Sequence, residues 1–209
     1  MADRPILMSG PMVRAVLDGR KTQTRRAVNP QPPVGWDRNC WYSAPDWGWT
    51  ATPEPSQAWH VVRCPYGQPG DRLWVREAWW QGLYRFAPDA IDPPELPEPA
   101  FFYRADKERN VSWKPSIHMP RWASRLTLTL TDVRVERVQD ISEEDAKTEG
   151  AAKLVMDDDS RFYEDDGGTY RTGFAGLWEH INAKRGYGWD TNPWAWALSF
   201  TVTKANIDQ

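Results

Sequence analysis

"RLTLTLTDVRVERV", residues Arg125 to Val138, is the stretch that decides the fold class. Leu126, Leu128 and Leu130 alternate with Thr127, Thr129 and Thr131. Side chains of a strand leave on alternate faces, so this pattern predicts a β-strand with one face in a core and the other toward water. The period then changes. In "DISEEDAKTEG", Asp140 to Gly150, Ser142 has the place of an N-cap, acids fill the first turn, and Gly150 is the stop. Those are the signs of a helix whose start and end are both marked in the sequence.

Working outward, a helix around Phe174, Leu177, Trp178 and Ile181 leads to "WAWALSFTV". There Trp194, Trp196, Leu198, Phe200 and Val202 line one face of a second strand. Upstream, Pro69-Gly70-Asp71 is a turn signal, Leu73 to Trp79 reads as a strand, and "FFYRAD" as a short one. Near the N-terminus, Met12, Val13, Val16 and Leu17 share a helical face, with Arg14 and Asp18 as an outer pair. Pro11 suits the first turn of that helix and Gly19 its left-handed end. "KTQTRRAV" then passes from turn into strand. The sum is an α+β fold: a mostly antiparallel sheet with a few flanking helices, curled into a small β-barrel.

At 209 residues the chain suits one domain, residues 1–209. Loop insertions fall near 27–63, 84–113 and 153–172; the first two are rich in Pro and Trp, the third acidic with glycines. The first two are expected to wall the cleft. Hydrophobic content of 40% supports a packed core, and 14 Trp suit cores and base-stacking surfaces alike. Net charge is −3, which excludes a polyanion-binding basic domain. The charge is uneven, however: six Lys/Arg in residues 1–26, eleven acids in residues 140–166. No run of about 18 apolar residues is present, so no membrane association is expected. "MADRPILMSG" is no secretion signal, and the expected location is cytoplasmic.

Lys21 lies just past a helix end with Thr24 three residues on. A lysine becomes a base when burial or neighbouring cations lower its pKa, and Arg20, Arg25 and Arg26 supply the second influence. The alternative is a solvated basic turn. Glu149 is the other oddity, an acid beside a helix stop where the macrodipole disfavours it. It can hold a cation or shuttle a proton, or lie in a frayed last turn. Glu77 in "WVREAWW" has Arg25 or Arg26 as expected partners, in a structural ion pair by default. His118 precedes the Leu/Thr strand with Arg121 and Arg125; it suits a substrate hydrogen bond, a cap or a core position. Cys40, His60 and Cys64 match no dependable zinc spacing, so no metal is expected, and no dinucleotide fingerprint calls for a cofactor.

"GRKTQTRR" resembles the signature of the ASCH superfamily, Gly-x-Lys-x-x-(Glu/Thr)-x-Arg, here Gly19, Lys21, Thr24 and Arg26. "GDRLWVRE", "ISEEDAKTEG" and "WAWALSFTV" follow in that family's order. The resemblance covers roughly residues 5–26, 64–82, 116–150 and 174–203, and the whole chain is similar to the longer ASCH proteins of bacteriophages and prophages. It implies a PUA-like fold with a cleft for nucleotides or RNA. One branch, the small bacterial N4-acetylcytidine amidohydrolases, has the motif Gly-Arg-Lys-Thr-x-Thr-x-Arg and a glutamate at the end of a helix. Its catalytic trio falls on Lys21, Thr24 and Glu149; the substrate-binding set expected beside it in this chain is Arg26, Glu77, His118 and Arg121. Those enzymes are about half this length, so fold transfers more readily than activity. Three functions follow as expectations. The first is an amidohydrolase acting on N4-acylated cytosine nucleosides. The second is a non-catalytic RNA- or DNA-binding module using Arg20, Arg25, Arg26, Arg121 and Arg125. The third is a nuclease in the same cleft.

Overall fold

The computed structural model describes residues 2–32, 42–43, 48–51, 60–82, 100–106, 109, 111–157, 162–164 and 167–209. In chain order its elements are β1 (Asp3–Leu7), α1 (Gly10–Leu17), β2 (Gln23–Ala27), β3 (Tyr42–Ser43), β4 (Gly48–Ala51) and β5 (His60–Arg63). Then come β6 (Arg72–Arg76), β7 (Trp79–Gly82), β8 (Ala100–Tyr103), β9 (Thr127–Arg137) and α2 (Glu143–Thr148). The last are β10 (Val155–Met156), β11 (Phe162–Tyr163), α3 (Tyr170–Asn182) and β12 (Trp194–Thr203).

A five-stranded sheet in the order β1-β6-β9-β12-β2 carries the core. β1 runs parallel to β6 and the other three pairings are antiparallel, so the α+β, mostly antiparallel expectation holds. The closed barrel does not form among the described residues, because no ladder joins the outer strands β1 and β2. Side chains occupy the edge groups a closing strand would pair: Gln23 O accepts from Lys21 Nζ at 2.8 Å, and Leu7 O accepts from Arg26 Nη2 at 2.7 Å. Of these two bonds, the one from Arg26 to Leu7 joins the two edges, by a side chain rather than by a ladder.

Register divides the residues between two faces. Thr24 lies opposite Leu198, and Arg26 opposite Trp196. Leu198 and Trp196 belong to the larger core cluster, which α1 covers with Val13 and Val16. Arg25 and Ala27 take the other face with Ala197 and Ala195. Over that face a second cluster packs Phe174 and Trp178 of α3, Ala146 of α2, and Val138. In β9 Leu128 and Leu130 are buried as the alternation predicts and Thr131 is exposed, but Thr127 is buried as well. Between Leu130 and Asp132 the register against β12 slips by one residue, and the buried set moves to Val133 and Val135. Thr131 is the extra residue of this bulge.

Local expectations fare unevenly. Ser142 caps α2, its Oγ accepting from Asp145 N–H at 3.0 Å. The strand expected over Leu73–Trp79 instead stops at Arg76; Glu77 N–H turns to the Met119 sulfur, and Trp79 begins a separate strand paired with β8. The Arg14–Asp18 pair is not made, because Arg14 Nη1 reaches Ala105 O and Asp18 pairs with Arg20 at 2.9 Å. The insertions contain short strands, β3-β4-β5 in one sheet and the pair β10-β11. Residues 33–41, 44–47, 52–59 and 83–99 lie outside the described residues, and with them the expectation that the first two insertions wall the cleft. No helix among the described residues is long and apolar enough to cross a membrane.

Candidate active site

Gly19 at φ +73° ends α1, and the next two amides, Arg20 N–H and Lys21 N–H, both donate to Ala15 O. These bonds keep Lys21 in the turn, ahead of β2. Thr22 N–H then donates to Thr148 O at 2.9 Å, fastening the turn to the end of α2. Glu149 is the C-cap of α2 and Gly150 follows at φ +78°. A Cβ on Gly150 would lie 3.0 Å from Ala15 Cβ and 3.2 Å from Lys21 Cβ. Glycine is needed there twice over, for the backbone angle and for the close approach of α1 to α2.

Lys21 is 2% exposed and its ammonium uses all three donors. Nζ bonds Gln23 O at 2.8 Å, Glu149 O at 2.7 Å and Glu149 Oε2 at 2.7 Å. Burial pulls its pKa below the ordinary 10.5; the Glu149 carboxylate opposes this by charge and hydrogen bond, while Arg26 and Arg25 push the same way as burial. The solvated-turn reading is thereby excluded. So is the frayed-end reading of Glu149, which is 3% exposed.

The other carboxylate oxygen of Glu149 meets Arg25 Nη1 at 3.3 Å. Arg25 is wholly buried, with Nε on Glu136 Oε1 at 2.8 Å, Nη2 on Asp145 Oδ2 at 2.8 Å and Nη1 on Gln23 Oε1. Its guanidinium crosses β12 to reach Glu136 on β9. The residues of β12 nearest its path on that face are Ala195 and Ala197, small enough to let it pass. Phe174 lies 5.8 Å below the guanidinium. Burial alone would raise the Asp145 carboxyl, but hydrogen bonding and charge from Arg25, with Arg134 adding, hold it below 3.8.

Lys21, Thr24 and Glu149 all line one cavity of about 820 Å³. It spans the free edge of β2, so it receives side chains from both strand faces. One wall is β1 and the start of α1, with Leu7, Ser9 and Met12; the other is α3, with Phe174, Trp178, Ile181 and Asn182. Thr24 Oγ1 has no hydrogen-bond partner among the described residues. Phe200 N–H donates to Thr22 O and Val28 N–H to Trp194 O. In antiparallel pairing this alternation turns Thr24 toward β12 and aims the Arg25 N–H off the free edge.

Arg26 lines the same cavity; Glu77, His118 and Arg121 do not. Glu77 is buried against Arg125, Oε1 to Nε at 2.9 Å, instead of Arg25 or Arg26. Burial raises its pKa and Arg125 only partly offsets that. His118 is exposed in a 3-10 turn, Ser116–His118. Arg121 binds Asp208 and Asp3, near the two ends of the chain. The described residues hold no cluster of metal-ligating side chains; Cys64 is a buried free thiol, pushed up to about 11 by burial, and Cys40 lies outside the described residues. Sequence reasoning named Arg25 as a cation acting on Lys21, as found, but missed its bonds to Glu136, Asp145 and Glu149, and missed Gln23 and the whole α3 wall. The wall had one visible signal, an aromatic pair, Phe174 and Trp178, spaced to share a helix face.

No family model matches the chain, and no curated protein is similar to it. Among solved structures, it is similar to the crystal structure of protein EF3133 from Enterococcus faecalis V583, of family-model DUF984. The alignment covers 99% of this chain and 83% of that one at 11% identity, with a TM-score of 0.42.

Proposed function

We propose that this protein is an amidohydrolase that removes acyl groups from N4-acylated cytosine nucleosides in the cytoplasm. The observation that carries the reading is the 2.7 Å contact of Lys21 Nζ with Glu149 Oε2, buried in the cavity that also receives the unpartnered Thr24 hydroxyl. Kinship with the ASCH superfamily and its PUA-like fold belongs to the same proposal: the sheet is a barrel left open between β1 and β2.

Thr24 Oγ1 attacks the acyl carbonyl carbon while its proton passes to Lys21. For this Lys21 must be a neutral amine, and burial, which disfavours its ammonium and lowers its pKa, acts in that direction. The Arg25 N–H, next in the chain to Thr24, donates to the developing oxyanion. The C–N bond then breaks, Lys21 returns the proton to N4, and the cytosine nucleoside leaves an acyl-threonine ester. Water, deprotonated by Lys21, attacks that ester; the carboxylic acid departs and the Thr24 oxygen recovers a proton. Phe174 and Trp178 offer faces for the base. The test is incubation of the purified protein with N4-acetylcytidine. Release of cytidine in proportion to enzyme supports the reading, and no release rejects it.

A non-catalytic RNA- or DNA-binding module, or a nuclease in the same cleft, is less well supported. Arg25 has no exposed surface, Arg121 is held by Asp3 and Asp208, and Arg125 by Glu77 and Asp106. A phosphate backbone would have to displace carboxylates already in place.

A further inference from the structure

The cavity holds more positive charge than the proposed chemistry uses. Glu149 is the one acid in its lining among the described residues, and Lys21 and Arg25 already share it. Three more cations line the same space: Arg26 on β2, Arg76 at the end of β6, and Arg185 in the turn after α3. None of the three has a carboxylate partner among the described residues. Arg26 donates to Leu7 O, Arg76 to Ile117 O, and Arg185 lies over the Tyr187 ring at 5.7 Å. Arg76 Nε is buried with no hydrogen-bond partner among the described residues. Guanidiniums gathered around one cavity without a countercharge repel one another, and a bound anion removes that repulsion. A neutral nucleoside brings no anion.

We infer that the site takes its substrate as a nucleotide, with a phosphomonoester bound by Arg26, Arg76 and Arg185. The placement of the base at the opposite end rests on the hydrolase reading above. Exposure gives the cavity a direction: Lys21, Thr24 and Glu149 are 2%, 2% and 3% exposed, Arg26 and Arg76 are half-buried, and Arg185 is exposed. The deep end suits the acylated base and the shallow end the phosphate. Planar guanidiniums match phosphate oxygens in two-point contacts that an ammonium cannot make. About 820 Å³ is ample for one nucleotide, since pockets of roughly 300–1,000 Å³ hold ligands of that size. A polymer would need the basic track to continue over the surface, and Arg20, Arg121 and Arg125 are each engaged by acids there.

Calorimetric titration of the full chain with cytidine, cytidine 5′-monophosphate and a single-stranded RNA of about eight nucleotides tests this. The monophosphate is expected to bind at least about tenfold more tightly than cytidine, the worth of one charge-assisted contact. That preference should shrink as salt rises, and Arg185→Glu should abolish most of it. Equal affinity for cytidine and its monophosphate, no binding of either, or tighter binding of the RNA would overturn the inference. So would a preference left intact by both Arg185→Glu and Arg76→Gln. Binding requires no turnover. A phosphate preference without hydrolysis of N4-acetylcytidine or its 5′-monophosphate would therefore reject the hydrolase and leave the phosphate subsite standing.

Discussion

Lys21 and Glu149 are 128 positions apart in sequence and 2.7 Å apart in space, and each follows the end of a helix, Lys21 in the turn after α1 and Glu149 as the C-cap of α2. A lysine after α1 and an acid after α2 meet because both helices end in a left-handed glycine, Gly19 and Gly150. The contact therefore depends on two backbone stops as much as on charge.

The Thr24 hydroxyl is the first point of attack. Thr24→Val keeps the volume and, since Oγ1 has no partner among the described residues, should leave folding intact. Turnover of an N4-acylcytidine should fall by about a thousandfold or more, as happens when a nucleophile is removed. Turnover that survives the substitution would reject the Lys/Thr mechanism, even with the fold correct.

Acidity should control the rate through Lys21. Its pKa lies below 10.5, chiefly because burial disfavours the ammonium. The base form grows as pH rises, so kcat/KM should climb with pH and level off before pH 10.5. Stability should shift in the same direction: between the folded and unfolded values the unfolded chain binds the extra proton, so folding gains as pH rises toward 10.5. A kcat/KM that falls as pH rises toward 10.5 would rule out Lys21 as the base.

Arg25 is expected to position Glu149 and to be indispensable to the fold around it. Arg25→Gln would leave Glu136, Asp145 and Glu149 crowded without their shared cation, a loss of about 3–5 kcal/mol for a broken buried pair. Arg25→Lys should recover little, because one ammonium cannot span three carboxylates. Urea midpoints at unchanged slope measure this directly. A substitution neutral in stability would show that the network is dispensable.

Two glycines give a paired test. Gly19→Ala meets nothing within 4 Å and should carry only the left-handed backbone penalty, about 1 kcal/mol. Gly150→Ala adds contacts with Ala15 and Lys21 and should be more destabilising, by roughly a further 1 kcal/mol for mild overpacking. Only Gly150→Ala should also lower activity, by pushing Lys21 off Glu149. Equal melting temperatures and equal rates for the two variants would contradict the described packing.

Local signals made much of this legible. Alternation exposed β9 and β12, and the Gly19 and Gly150 stops marked the two site residues beside them. Those signals act within a few residues, so a single sequence carries them. Arg25 stayed hidden as one more cation in a basic run, because its partners Glu136 and Asp145 lie 111 and 120 positions away. Strand register and two small alanines on β12 bring them together, and neither has a local signature. The Glu77 partner was misread for the same reason, since pairing with Arg125 follows from where β6 stops. Barrel closure likewise depends on what occupies two distant edges.

Among the described residues β2 pairs only with β12 within the main sheet, and Gln23 bonds Ser199 across 176 positions. On the ribosome that separation becomes a delay, on the order of ten to thirty seconds at ordinary elongation rates. Throughout it β2 waits without a neighbour in the main sheet. Arg25 and Arg26 keep the lone strand charged, which discourages pairing with other chains. Until the last strand docks β2 has no neighbour in the main sheet, so a ribosome-bound chain still lacking β12 should be folded in part and chemically silent.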